Sequence, residues 1–243
     1  MQAVLLLLFL ADPPAFAREL ERADALAAAA RAETEEARRT PAVQAALDAY
    51  AALLATRPKD PKAVPRLRRR RATLLAAVGR GADALAEQDA LLAGPSARYD
   101  RARALLEGAR LLGKAGDVHA AEKRCARAVE EYGDEVSIAA QALLERGRCL
   151  KRLARPKEAE AAWRRITERF RDEVKAAVDA FDELAILEIE AGRRDKARGW
   201  LKACAAEYEK RAARGDRYGA MLSRLLGEMK APAMLQRAEE RRG

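Results

Sequence analysis

Few residues in this chain have types suited to chemistry, and their spacing withholds most chemistry from them. His119 is the only histidine in 243 residues. It falls at a turn between helical stretches, with no Ser or Cys set to pair with it, so a proton-relay dyad or a histidine-ligated metal site lacks a second member. The cysteines Cys125, Cys149 and Cys204 show no Cys-x-x-Cys spacing of the kind a zinc site needs. Gly79-Arg80-Gly81 has neither a strand before it nor Lys-Ser/Thr after it, so it reads as a turn and not as a phosphate loop. Acidic pairs such as Glu35-Glu36 and Glu239-Glu240 stand beside Arg on polar helix faces, where ion pairing between turns accounts for them without acid or base work. These absences argue against an enzyme and imply neither cofactor nor metal.

Arginine is the remaining chemical resource. The net charge is +9, and much of it is local: residues 60–81 hold Lys62, Arg66, Arg68, Arg69, Arg70, Arg71 and Arg80 against one acid, Asp60. Such an excess suits an acidic protein segment, a membrane surface or nucleic acid, and says nothing of the fold.

The elements that position these side chains are helical. Hydrophobic residues make up 50% of the chain but aromatics only 5%, so Ala and Leu must do the packing, with Arg, Glu and Lys filling the other helical positions. No strand-type alternation of β-branched residues occurs. The organising feature is an interval of 38 residues, which links Ala109, Gly147 and Ala185, then Ala121, Ala159 and Ala197, then Cys125, Trp163 and Leu201. The same interval joins Leu105, Leu143 and Phe181, joins Ala128, Ile166 and Cys204, and returns Asp134-Glu135-Val136 as Asp172-Glu173-Val174. A fixed period of this length marks a repeat array whose units bury their apolar faces against neighbours.

In chain order, residues 1–17 present an apolar run from Ala3 to Ala11, a Pro pair that ends any helix, and Ala15-Phe16-Ala17 as a small-x-small cleavage site. These are the parts of a secretory signal peptide, although no Lys or Arg precedes the run. The expected location is therefore exported, periplasmic or extracellular, and cytoplasmic if the segment is instead the first turns of a buried helix. The run is too short for a transmembrane span. Residues 18–60 form an N-terminal helical pair: one long helix to Arg39, with Thr40 as cap and Pro41 opening the next. Its Ala46, Tyr50 and Leu53 lie 38 residues before Ala84, Gln88 and Leu91. Residues 61–215 then carry about four hairpins, near 66–78 with 82–93, 98–114 with 118–132, 136–153 with 156–170, and 174–190 with 194–212. In the third, Ala154 occupies a turn position where Gly116 and Gly192 stand in its neighbours, which predicts a slightly strained turn. Residues 216–243 supply two polar capping helices, at 216–229 and 232–241. The cysteines fall in otherwise apolar columns as core filler; in an oxidising compartment a Cys125–Cys149 disulfide remains open, and Cys204 would stay free.

The columns Gly147, Ala159, Trp163 and Ile166, with their equivalents before and after, resemble those of the tetratricopeptide repeat family: a small residue midway along the first helix, then Ala, a bulky residue and an apolar one down the second. The likeness covers residues 98–212. The family period is about 34, so each unit here carries roughly one extra helical turn, similar to the lengthened repeats of bacterial cell-envelope proteins of this family. Arg146 and Glu188 depart from it, standing where an apolar residue is usual, and Arg68 and Arg71 sit at core columns of the first unit. The resemblance implies an all-α, right-handed α-solenoid of antiparallel helical hairpins, with an inner groove lined by the first helix of each. In this register the groove holds Arg66 and Arg69, then Arg103, Leu106 and Arg110, then Leu144, Arg148 and Lys151, then Asp179, Asp182, Ile186 and Ile189.

The implied function is a non-enzymatic scaffold of the cell envelope that takes an acidic peptide or protein segment in a basic groove, with no small-molecule substrate. The alternative is a basic helical array for nucleic acid or another polyanion, which the absence of a repeating exposed code disfavours. N-terminal sequencing of the protein recovered from its native host should find Arg18 first. A chain that still begins with Met1 in the cytosol would overturn the export reading.

Overall fold

A computed structural model of the chain describes residues 13–56, 60–94 and 96–213. The apolar run at 3–11 and the expected capping helices at 216–241 lie outside the described residues. Among those described there are ten α-helices and no strand: α1 (Pro13–Ala32), α2 (Glu36–Thr56), α3 (Ala63–Ala77), α4 (Gly81–Ala93), α5 (Arg98–Ala115), α6 (Val118–Glu131), α7 (Val136–Arg152), α8 (Pro156–Arg169), α9 (Val174–Glu190) and α10 (Arg194–Ala213). They fall into two compact units, one ending at Asp117 and the other starting at Val118. Within each unit every helix packs on the next in sequence, and α7 also touches α9.

The second unit shows why the interval of 38 residues exists. Ala159, Ala197, Ile166 and Cys204, in the repeated columns, are all fully buried. Gly147 of α7 faces Trp163 of α8 so closely that a Cβ at 147 would come within 2.2 Å of the indole nitrogen. Trp163 itself is 0% exposed, and its Nε1 donates to the Leu144 carbonyl at 3.2 Å. One hairpin later the same columns hold Ala185 and Leu201, packed with Ile186, Ile189 and Ala197. A larger first-helix residue thus goes with a smaller second-helix residue, which keeps the helices of each pair at packing distance.

The turn between α7 and α8 carries the expected strain. Ala154 has φ +56°, while Gly116 and Gly192 reach +93° and +77° at the equivalent positions. A left-handed conformation costs a residue with a Cβ about 1 kcal/mol. It is held by Arg155 N–H donating to the Leu150 carbonyl at 2.9 Å and Ala154 N–H to that of Lys151 at 3.0 Å, the reciprocal pair that closes a helix C-terminus.

The first unit corrects the register. Ala72, Ala84 and Leu91 are its buried columns, and they lie 37 residues before Ala109, Ala121 and Ala128. The missing residue is in the second helix, since α4 has 13 residues where α6 has 14. Arg68 and Arg71 are consequently not core residues: each is partly exposed and sits 3.1 Å from the Glu87 carboxylate. The columns linking Ala46, Tyr50 and Leu53 to Ala84, Gln88 and Leu91 are buried throughout.

The N-terminal boundaries also differ from expectation. The break falls at residues 33–35, not at Thr40-Pro41, because the Glu33 side chain takes the Glu35 N–H at 2.9 Å and the Glu35 carbonyl accepts the Arg39 N–H at 2.8 Å, starting α2 early. Pro41 then lies inside α2, near enough to its start to forfeit only one helical bond. Asp24 of α1 ties three helices together: the Tyr50 hydroxyl of α2 donates to it at 2.7 Å, and Arg70 of α3 approaches at 2.6 Å. Burial, with the Asp24 hydrogen bond next, raises the Tyr50 phenol above its ordinary range.

Two substitutions test the packing in the second unit. Trp163→Ala should cost roughly 3 to 5 kcal/mol through the cavity it leaves. Gly147→Ala should also destabilise, although Gly→Ala at an open helical site gains about 1 kcal/mol, and adding Trp163→Leu should recover much of that loss by recreating the Ala185–Leu201 pairing. Urea midpoints for the single and double variants decide this; a Gly147→Ala midpoint at or above that of the parent chain would contradict the close approach.

Candidate functional site

The side chains expected to line a basic groove lie on α3 and α5 in the first unit and on α7 and α9 in the second. In the first unit Arg66 and Arg103 are exposed, and no acid pairs with either among the described residues. Arg69 is 3.1 Å from Asp100 of α5, and Arg110 is 3.1 Å from Glu107 one turn away. Leu106 is a core residue at 1% exposed.

In the second unit the expected groove residues are largely spent on one another. Arg148 Nε donates to Glu183 of α9 at 2.7 Å and its Nη1 to Glu145 at 3.4 Å, and Lys151 donates to Glu190 at 2.6 Å. Asp179 accepts from Lys175 at 2.8 Å. Leu144, Ile186 and Ile189 are buried. A cation on α7 thus meets an acid on α9, which pins two successive hairpins and neutralises the face between them. The two residues that depart from the repeat pattern follow the same rule: Arg146 donates to Glu122 of α6 at 2.8 Å, and Glu188 accepts from Arg193.

Of the five arginines on α3, only Arg66 is uncompensated among the described residues. Arg68 and Arg71 share Glu87, Arg69 has Asp100 and Arg70 has Asp24. The sequence could not show this, because Glu87 and Asp100 are distant in sequence from the arginines and stand on other helices.

The structure brings Arg69 and Arg103 together in one cleft of about 140 Å³, lined also by Thr73 of α3, Gln88 of α4, and Glu107 and Leu111 of α5. Gln88 is 5% exposed, and its Oε1 has no hydrogen-bond partner among the described residues. A second cleft of about 240 Å³ lies in the other unit between α7 and α8, beside Leu143, Arg146, Leu150, Glu158 and Arg165.

Among the described residues no cluster of three or more His, Cys, Asp or Glu is placed to hold a metal ion. His119 is exposed in the first turn of α6. All three cysteines are buried and none is in a disulfide, so the Cys125–Cys149 bridge is not formed. Burial pushes the Cys149 thiol up from its ordinary value and Cys204 to about 12. No described helix is long and apolar enough to cross a membrane.

The fold is that of a tetratricopeptide-like array of helical hairpins. No protein-family model matches the chain, and no curated protein does so either. Two solved structures are similar to it: one titled "Crystal structure of MamA", with TM-score 0.54 and 18% identity over 72% of this chain and 94% of that one, and one titled "Crystal structure of MamA protein", with TM-score 0.53 and 18% identity over 72% of this chain and 88% of that one.

The burial of the cysteines has a direct readout. At pH 8 an aromatic disulfide reagent should find almost no reactive thiol in the native protein and three per chain in denaturant. Fewer than three after unfolding without reductant would mean that a disulfide forms.

Proposed function

We propose that this chain is a non-enzymatic protein–protein interaction scaffold that captures an acidic peptide segment or chain terminus on the α3–α5 face of its first unit. The observation that carries the reading is the contrast between Arg66 and Arg103, exposed and uncompensated among the described residues, and the other expected groove cations, each held by an acid. A cation without an internal partner gains the most from an incoming carboxylate, and Arg accepts one through two parallel hydrogen bonds. The compensation of Arg68, Arg69, Arg70 and Arg71 weighs against a polyphosphate ligand, which would have to compete with those acids for each guanidinium. The order of apolar run, Pro pair and Ala15-Phe16-Ala17 supports export, and with it a role in the cell envelope.

Crosslinking in the native host, followed by identification of the attached protein, tests the reading. Arg66→Glu combined with Arg103→Glu should abolish capture, while Lys202→Glu at an exposed position of α10 leaves it intact, with unchanged melting in both. Equal capture by the double reversal and the parent chain would remove this face as the binding surface.

A further inference from the structure

Gln88 stands in a repeat column whose other polar members are satisfied. Tyr50, one interval earlier, donates its hydroxyl to Asp24, and Trp163, further along, donates its indole N–H to the Leu144 carbonyl. Gln88 is as buried as they are, yet its Oε1 has no partner among the described residues. An unsatisfied amide oxygen in such a place destabilises the fold, and apolar Leu201 shows that the column accepts a purely hydrophobic residue. Gln88 stands at the cleft between α3 and α5 that Arg69 and Arg103 also line, its Oε1 just beneath the surface.

The neighbouring groups do not supply its partner. The Thr73 hydroxyl donates to the Arg69 carbonyl at 2.9 Å, Arg69 lies against Asp100, and Glu107 is engaged by Arg110. Among the described residues, what remains at the cleft is one buried carboxamide and one uncompensated guanidinium, that of Arg103. A carboxamide offers an N–H donor and a C=O acceptor side by side, the complement of a peptide group, and it pairs with one in either orientation. A guanidinium alongside suits a carboxylate.

We propose that Gln88 is the residue that recognises the main chain of the bound segment: a peptide group of the partner pairs with the Gln88 carboxamide in this cleft, and an adjacent acidic side chain or terminal carboxylate pairs with Arg103. The inference rests on the acidic-peptide reading and adds to it the demand that the guest be an extended peptide with a free backbone N–H, not merely an anion. Charge alone gives attraction; the carboxamide sets register and excludes anions that lack a peptide group.

The test uses the full chain, fluorescein-labelled tetraglutamate, and the same peptide methylated on its backbone nitrogens, which keeps the charge and removes the donors. The parent protein should bind the methylated peptide roughly ten-fold more weakly, the size of one neutral hydrogen-bonding pair lost from a dry site. Gln88→Leu should bind both peptides alike, at the weaker affinity, while its unfolding midpoint rises. Arg103→Glu should lose both. If Gln88→Leu still discriminates between the peptides, or the parent protein does not, while binding remains sensitive to Arg103→Glu, this inference falls and the acidic-peptide reading stands. If the parent protein binds neither peptide, both fall.

Discussion

The close approach of Gly147 to Trp163 is the constraint from which the second unit follows. At this helix separation the Trp163 indole is fully buried only because Gly147 offers no Cβ, and the hydrogen bond from Trp163 to the Leu144 carbonyl then orients the ring within the space that glycine leaves. Each hairpin meets the same requirement with a different pair of sizes, and the columns above and below it are filled by Ala, Ile and Cys with no exposed surface. The charged residues are arranged around that packing. Arg146, Arg148 and Lys151 lie along the same helix as Gly147 and reach acids on α6 and α9 because the helices are held at fixed separation and rotation.

Charge in this protein is largely an internal matter. A count of side chains gives a strongly basic molecule, and the segment around α3 is the most basic of all. In three dimensions four of its arginines meet acids from α1, α4 and α5, partly shielded from solvent, where such pairs fix geometry more than they add stability. What the molecule presents outward on that side is therefore much less cationic than its sequence, and the exceptions, Arg66 and Arg103, gain significance from being few.

The fold was legible in the sequence wherever a column had a size or a backbone requirement. The interval through Ala159, Trp163 and Ile166 located buried positions, and Ala154 announced a left-handed turn because its equivalents are glycines. Legibility failed where the determining contact is with a residue far along the chain or where two local signals compete. Thr40-Pro41 looks like a helix start, but Glu33 and Glu35 cap the chain first. The shortening of α4 by one residue moved Arg71 out of the core column and Ala72 into it, a slip that only burial exposes. The candidate site was partly readable: Arg69 and Arg103 line one cleft of the first unit, whereas the neutralisation of Arg148 and Lys151 depends on Glu183 and Glu190 one hairpin away. Gln88 was visible as a polar residue in an apolar column, and its lack of a partner was not.

The bond from Arg148 to Glu183 gives the second unit a direction, and that direction bears on how such a chain can lengthen. The α7–α8 hairpin carries both halves of the link, Arg148 reaching forward and Glu145 standing in the column that Glu183 occupies one interval later. Tandem duplication of that hairpin would hand each copy a neighbour it already fits. The α9–α10 hairpin carries only the receiving half: Ile186 takes the arginine column and is buried with Leu201 and Ile189. A copy added after it would bring a glutamate to a position facing isoleucine, leaving an acid at the new junction without its cation. Insertion by duplication is thus favoured at the α7–α8 hairpin and penalised directly after α9–α10, a difference made by one isoleucine in the arginine column.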